Sequence, residues 1–279
     1  MGTESRNPRS YGLDKMSAQE IVRLMNEEEQ NVQRALQQAE PALAIAIERT
    51  AEAFQAGGRI IYLGSGTSGR IATMDAAEMP PTFGIERDRF VAIVSGGPAS
   101  GATAVEECED DPHAVIVALN EMSLNRDDIV IGLAASGTTP FVLSGVRHAA
   151  QKGIWTCGIA NNRGAPLLET CDLPICLDTG PEVLTGSTRL KAGTAQKLAL
   201  NRISTGAMVL SGKVIENLMV DVKAKNSKLK DRCARIVCEL SPVTQDEAFD
   251  LLEHHSWNIR EVLDSIRRER LASGVGHGF

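Results

Sequence analysis

The sequence predicts an α/β protein: a doubly wound parallel sheet, with N-terminal helices before it and a small C-terminal helical bundle after it. Three observations predict this. Short apolar runs at 60–63, 90–94, 128–133 and 154–159, with a weaker one near 173–177, alternate with helical stretches. That is the β-α alternation of a parallel sheet with helices on both faces. The first and third runs end in glycine- and hydroxyl-rich turns, Gly64-Ser-Gly-Thr-Ser-Gly-Arg70 and Ala134-Ala-Ser-Gly-Thr-Thr-Pro140. Beyond 222 the pattern changes to a charged link and three short amphipathic segments.

Length and composition bound the rest. At 279 residues, 43% hydrophobic and 23% charged, the chain can bury a large core and carry an appendage. A net charge of −7 argues against a nucleic-acid surface. No apolar run approaches the roughly 20 residues that span a bilayer, and no basic-then-apolar leader opens the chain, so a cytoplasmic address is expected. Six cysteines lack Cys-x-x-Cys spacing and five histidines lack metal-site spacing. Reduced thiols, no metal and no cofactor are the expectation.

In chain order, residues 1–57 read as a polar, extended arm followed by helices. Ser17 and Glu20 form a capping box ahead of a helix with Ile21, Leu24 and Met25 on one face. A second helix runs from about Pro41 to Gln55 and is closed by Gly57-Gly58. Residues 58–222 carry the sheet. After the first loop a helix leads to Glu78-Met-Pro-Pro81, where the double proline is expected to end it and hold Glu78 at a stiffened terminus. A helical stretch with Glu106, Glu107, Glu109, Asp110 and Asp111 has the spacing of a solvated face. Pro140 suits the first turn of a helix over 141–152. A helix of about twenty residues follows Lys191, with another expected near 213–222. Residues 223–272 form the bundle, and 273–279 read as a disordered tail.

Each of the two turns joins a strand end to a helix N-terminus. Converging backbone N–H groups, the helix dipole and the hydroxyls of Thr67, Ser68, Ser136 and Thr139 make such a turn an anion site. A single turn of this kind is common, and its hydroxyls read equally as caps of their own helices. Two of them at the carboxyl ends of strands favour a ligand.

These loops resemble those of the sugar isomerase (SIS) domain, which binds phosphosugars. Further stretches sharpen the resemblance: Glu4-Ser-Arg-Asn-Pro8, Asp75-Ala-Ala-Glu-Met-Pro-Pro-Thr-Phe83, Gly186-Ser-Thr-Arg-Leu-Lys-Ala-Gly-Thr-Ala-Gln-Lys197 and Asn217-Leu-Met-Val-Asp-Val222. In order and spacing they are similar to the N-acetylmuramic acid 6-phosphate etherases, over residues 3 to 230. The resemblance implies a carbon-oxygen lyase of amino-sugar and peptidoglycan recycling, releasing D-lactate and N-acetylglucosamine 6-phosphate. It implies Glu78 as proton donor and Glu109 as base. Phosphate or sugar contacts fall to Thr67, Ser68, Gly69, Ser136, Gly137, Thr138 and Thr139. Arg189 and Lys191 join them, with pairing to an acidic segment of the chain as the alternative. The chain departs from the family pattern at Thr138, where Arg is usual, and at Glu107-Cys108, where Gly-Ala is usual. A homodimer with sites near the subunit interface is also implied. The rival readings are a non-catalytic phosphosugar sensor related to glucokinase regulatory protein, a SIS-type transcription regulator and an aldose–ketose isomerase. The acidic 1–57 segment offers no basic helix-turn-helix for the regulator.

Overall fold

A computed structural model describes residues 2–97 and 106–272; the expected tail at 273–279 lies outside the described residues. The chain divides into two compact units, one of residues 1–77 and 87–211, the other of 78–86 and 212–279.

In the first unit the arm is not extended. Residues 8–10 and 13–15 form 3-10 turns, the first capped by Asn7, whose side chain also donates to Glu28 Oε2 at 2.9 Å and to the Pro181 carbonyl at 3.2 Å. Helix α1 (Ala18–Glu28) opens on the expected capping box, with Ser17 N donating to Glu20 Oε2 at 2.8 Å. Helices α2 (Gln30–Gln38) and α3 (Glu40–Gln55) follow. Strand β1 (Ile60–Gly64), helix α4 (Gly66–Phe83), strand β2 (Phe90–Val94), helix α5 (Pro112–Glu121) and strand β3 (Ile129–Ala134) begin the alternation. Helix α6 (Pro140–Gln151), strand β4 (Trp155–Ala160), helix α7 (Pro166–Thr170), strand β5 (Leu173–Cys176) and helix α8 (Lys191–Leu210) complete it.

The five strands are parallel, in the order β2-β1-β3-β4-β5. The central strands β1 and β3 are buried along their whole length, which accounts for their unbroken apolar runs. Alternate residues of β1 serve opposite faces. Ile61 and Leu63 join Val115, Phe141, Val142 and Val146 in the core under α5 and α6. Tyr62 packs edge-on against Phe90, with ring centroids 6.1 Å apart, and Phe90 in turn meets Phe54 of α3. The order places β1 next to β3 while their crossovers lead to strands on opposite sides. That is the switch point at which doubly wound sheets open a crevice beyond the strand ends.

Two expectations are corrected. Helix α4 runs through Pro80 and Pro81 to Phe83. A proline's fixed φ suits a helix, and the two missing N–H groups fall in the last turns, where Gly84 N closes on the Pro80 carbonyl at 3.0 Å. Residues 213–222 form no helix. Ile215 and Leu218 pair across a tight turn that puts Glu216 at φ 53°, while Val220 and Val222 sink into the apolar core of the second unit. The sheet-bearing unit ends at 211 and includes the N-terminal helices.

The second unit packs α9 (Ser227–Leu240), α10 (Gln245–His254) and α11 (Ile259–Ala272) around Cys233, Val237, Leu252 and Val262. Asn226 caps α9, and Thr244 with Glu247 forms a capping box on α10.

Candidate functional site

The loops after β1 and β3 wall a cavity of about 340 Å³, ample for a sugar phosphate. The first loop supplies Ser65, Gly66, Thr67, Ser68 and Arg70, and the second Ala134, Ala135, Ser136 and Thr139. Glu4, Ser95, Glu109 and Thr188 reach it from elsewhere in the same unit. Seven hydroxyl side chains, two carboxylates and one guanidinium thus face a single space. Such a lining suits a polyhydroxylated anion, with helices α4 and α6 presenting their N-termini beside it.

Each loop turns on a glycine in the left-handed region, Gly66 at φ 51° and Gly137 at φ 71°. A Cβ at Gly66 would come 2.8 Å from Glu109 Oε1, so the carboxylate lies directly over the start of α4. We expect Gly66→Ala to displace that carboxylate and lower turnover by about 10²-fold, since a shift of roughly 1 Å can cost that much. Steady-state kinetics check this: a drop in kcat is expected, and a variant with unchanged kcat would uncouple Gly66 from Glu109. Gly137 is buried, and a Cβ there would fall 2.4 Å from that of Ala165, so its part is to shape the loop.

Polar side chains tie the two loops together. Ser68 Oγ donates to Gln196 Oε1 at 2.8 Å, Gln196 Nε2 to Asn161 Oδ1 at 3.1 Å, and Asn161 Nδ2 to the Leu177 carbonyl at 2.9 Å. Asn161 N also donates to the Ala135 carbonyl, at 3.0 Å. Ser136 Oγ accepts from Thr138 N at 3.2 Å and from Thr138 Oγ1 at 3.0 Å. Ser65 and Ser95 share a buried hydroxyl–hydroxyl bond at the cavity wall. Thr3 and Asn162 exchange hydrogen bonds of 2.8 and 3.1 Å, and this fastens the arm that carries Glu4.

Of the residues singled out in the sequence, the fold brings Thr67, Ser68, Ser136, Thr139 and Glu109 to the cavity. Gly69 sits in the first turn of α4, and Thr138 is exposed beside Ser136. Arg189 is exposed and outside the lining. Lys191 is placed elsewhere: only 2% exposed, its ammonium pairs with the buried carboxylate of Glu28. Burial pushes the Glu28 carboxyl up, but the Lys191 hydrogen bond and charge, with Asn7 and Arg9, outweigh it and hold the group below its usual range. Glu182, also buried, caps α8 by accepting from Lys191 N at 3.1 Å and Ala192 N at 2.9 Å; burial still leaves its carboxyl raised. Glu78 belongs to the second unit, where it is exposed. Sequence reasoning missed Arg70, Ser95, Thr188 and Glu4 as lining. Arg70, Thr188 and Glu4 stood inside motifs already noted, whereas Ser95 reaches the cavity only through the fold. Among the described residues, no group of three or more His, Cys, Asp or Glu side chains is placed to hold a metal ion.

Comparison with known proteins adds to this geometry. Residues 42–150 match the family model for the glucokinase regulatory protein N-terminal SIS domain, and residues 111–203 match the SIS domain model. The two matches overlap over 111–150 and share one sheet. A phosphoheptose isomerase structure from Francisella tularensis superposes with a TM-score of 0.53 at 19% identity, covering 71% of this chain and 100% of that one, which is a likeness of fold. An N-acetylmuramic acid 6-phosphate etherase of Lactobacillus acidophilus is 45% identical over 267 residues, 96% of this chain and 90% of that protein. One from Pectobacterium atrosepticum is 46% identical over 261 residues, 94% of this chain and 86% of that protein. The chain belongs to the N-acetylmuramic acid 6-phosphate etherase family.

Proposed function

We propose that the chain cleaves the D-lactyl ether of N-acetylmuramic acid 6-phosphate, giving N-acetylglucosamine 6-phosphate and D-lactate by elimination and then hydration. The observation that carries this reading is the identity of 45% and 46% to etherases along nearly the whole chain. A cavity with Glu109 between two hydroxyl loops supports it chemically.

An ether oxygen leaves poorly, but the aldehyde of the ring-opened sugar acidifies the proton on C2. Glu109 takes that proton, and Glu78 protonates the lactyl oxygen as the C3–O bond breaks. D-Lactate departs and an α,β-unsaturated aldehyde remains. Water then adds its oxygen to C3 while a proton returns to C2, so substrate and water balance the two products. Acid and base must hold opposite protonation states, as paired carboxyl groups in unlike environments do. The N-terminus of α6 offers the phosphate donors and positive charge, and Arg70 adds charge to the same cavity. No step of this scheme calls on a metal or cofactor.

The working form is a homodimer with its sites near the subunit interface. The reading places the enzyme in the cytoplasm, in keeping with six free cysteines. A non-catalytic phosphosugar sensor is the second reading, favoured by the match of residues 42–150 to the glucokinase regulatory protein domain.

Incubation with N-acetylmuramic acid 6-phosphate and an assay for free D-lactate separates the two. Stoichiometric D-lactate is the expected result. A chain that binds the sugar phosphate and never releases lactate is the sensor.

A further inference from the structure

We infer that Gln196 and Asn161 are positioning residues that set the polarity of Ser68. The first loop thereby accepts a hydrogen bond from a sugar hydroxyl, while the second loop, through Ser136, donates to the phosphate. The inference rests on reading the cavity as a sugar-phosphate site.

The direction of the buried chain follows from its far end. The Leu177 carbonyl can only accept, so the Asn161 atom 2.9 Å from it is the amide nitrogen. Asn161 Oδ1 then faces Gln196, and the Gln196 atom 3.1 Å away must be its own amide nitrogen. That turns Gln196 Oε1 toward Ser68, 2.8 Å away, where only the serine hydroxyl can supply a proton. Asn161 and Gln196 are fully buried, so no water replaces a lost partner. Rotating the Ser68 proton into the cavity would strand Gln196 Oε1 as a buried, unsatisfied acceptor. Ser68 has one proton and it points inward, so only oxygen lone pairs face a ligand.

Ser136 has the opposite character. Its oxygen already accepts two hydrogen bonds from Thr138, which leaves its proton as what it offers the cavity. A phosphate dianion only accepts, whereas a sugar hydroxyl can donate. The phosphate therefore belongs at the second loop and a hydroxyl of the sugar at the first.

Calorimetry on the full chain, with inorganic phosphate and N-acetylglucosamine 6-phosphate as probes, tests this at about pH 8, where both probes are mainly dianions. Ser136→Ala should weaken both probes, by about 10- to 150-fold for a lost charge-assisted bond. Ser68→Ala should weaken the sugar phosphate by about 2- to 12-fold and leave inorganic phosphate within about twofold. Gln196→Met releases the Ser68 proton, so sugar phosphate should weaken relative to inorganic phosphate. In a Ser68→Ala background the same change should no longer alter that ratio, because Gln196 acts through Ser68. A merely structural Gln196 would weaken both probes alike in either background, and that result overturns the positioning role. If Ser68→Ala loses inorganic phosphate as severely as Ser136→Ala, the assigned polarity is wrong. Should Gln196→Met not fold, the two serine variants still decide. A wild-type chain that binds neither probe removes the sugar-phosphate reading itself, and this inference with it.

Discussion

Glu109→Gln lowers D-lactate release by about 10²–10⁴-fold, with ether cleavage at the upper end of that range, and leaves sugar-phosphate binding intact. The amide keeps the size of the side chain over Gly66 but cannot take a proton from C2. Glu78→Gln should cost as much for the opposite reason, since it cannot protonate the leaving oxygen. Deuterium oxide separates the roles. Without the leaving-group acid, the C2 proton still exchanges with solvent because the aldehyde still acidifies it; without the base, exchange stops. The variant that exchanges has therefore lost the acid. Mixing the two inactive variants tests where each carboxyl comes from. In a mixed dimer whose sites draw Glu109 from one subunit and Glu78 from the other, one site is intact and activity returns. No recovery would place both carboxyls in a single chain. Wild-type lactate release from either variant would remove that residue from the mechanism.

Lys191→Met destabilises the chain by roughly 3–5 kcal/mol, the cost of breaking a buried ion pair by removing one side, even though Arg9 still reaches Glu28 from the exposed side. Glu28 is 3% exposed, and it anchors Asn7 and Arg9 of the arm as well as Lys191 at the start of α8. The pH dependence has a definite sign. The Glu28 carboxyl is depressed below its ordinary value of 4.5, so its contribution is complete above that value and is lost as pH falls through the lower folded value. Asp128, buried against Arg59, is depressed likewise: burial raises it, but the Arg59 hydrogen bonds outweigh that. Acid should therefore erode wild-type stability. In Lys191→Met, Glu28 keeps Arg9 and Asn7 but is easier to bury once protonated, so the gap to wild type should narrow as pH falls. Denaturant unfolding at neutral and acid pH measures both effects. A constant gap would contradict the ion-pair account, and a neutral-pH loss under 1 kcal/mol would assign Lys191 no buried partner.

The sheet was legible because its central strands β1 and β3 are buried along their whole length and so appear as unbroken apolar runs. The two loops were legible because small and hydroxyl residues cluster at two strand ends, where local chemistry and topology agree. What escaped notice depends on contacts distant in sequence. Lys191 pairs with a carboxylate 163 positions away, and no local pattern marks that partner. Ser95 looks like an ordinary loop residue until the switch point turns it toward the cavity. Gln196 sits inside a recognised motif, but its meaning comes from Asn161 and the Leu177 carbonyl across the fold. The double proline was read too strongly, because a helix tolerates missing donors in its last turns.

The elimination–hydration account is tested most directly by turning over N-acetylmuramic acid 6-phosphate in ¹⁸O-labelled deuterium oxide and weighing both products. Cleavage at C3 followed by addition of water predicts solvent oxygen at C3 and one carbon-bound deuterium, at C2, in N-acetylglucosamine 6-phosphate, with the ether oxygen retained in D-lactate. Solvent oxygen in the lactate, or a sugar with no deuterium at C2, would contradict it.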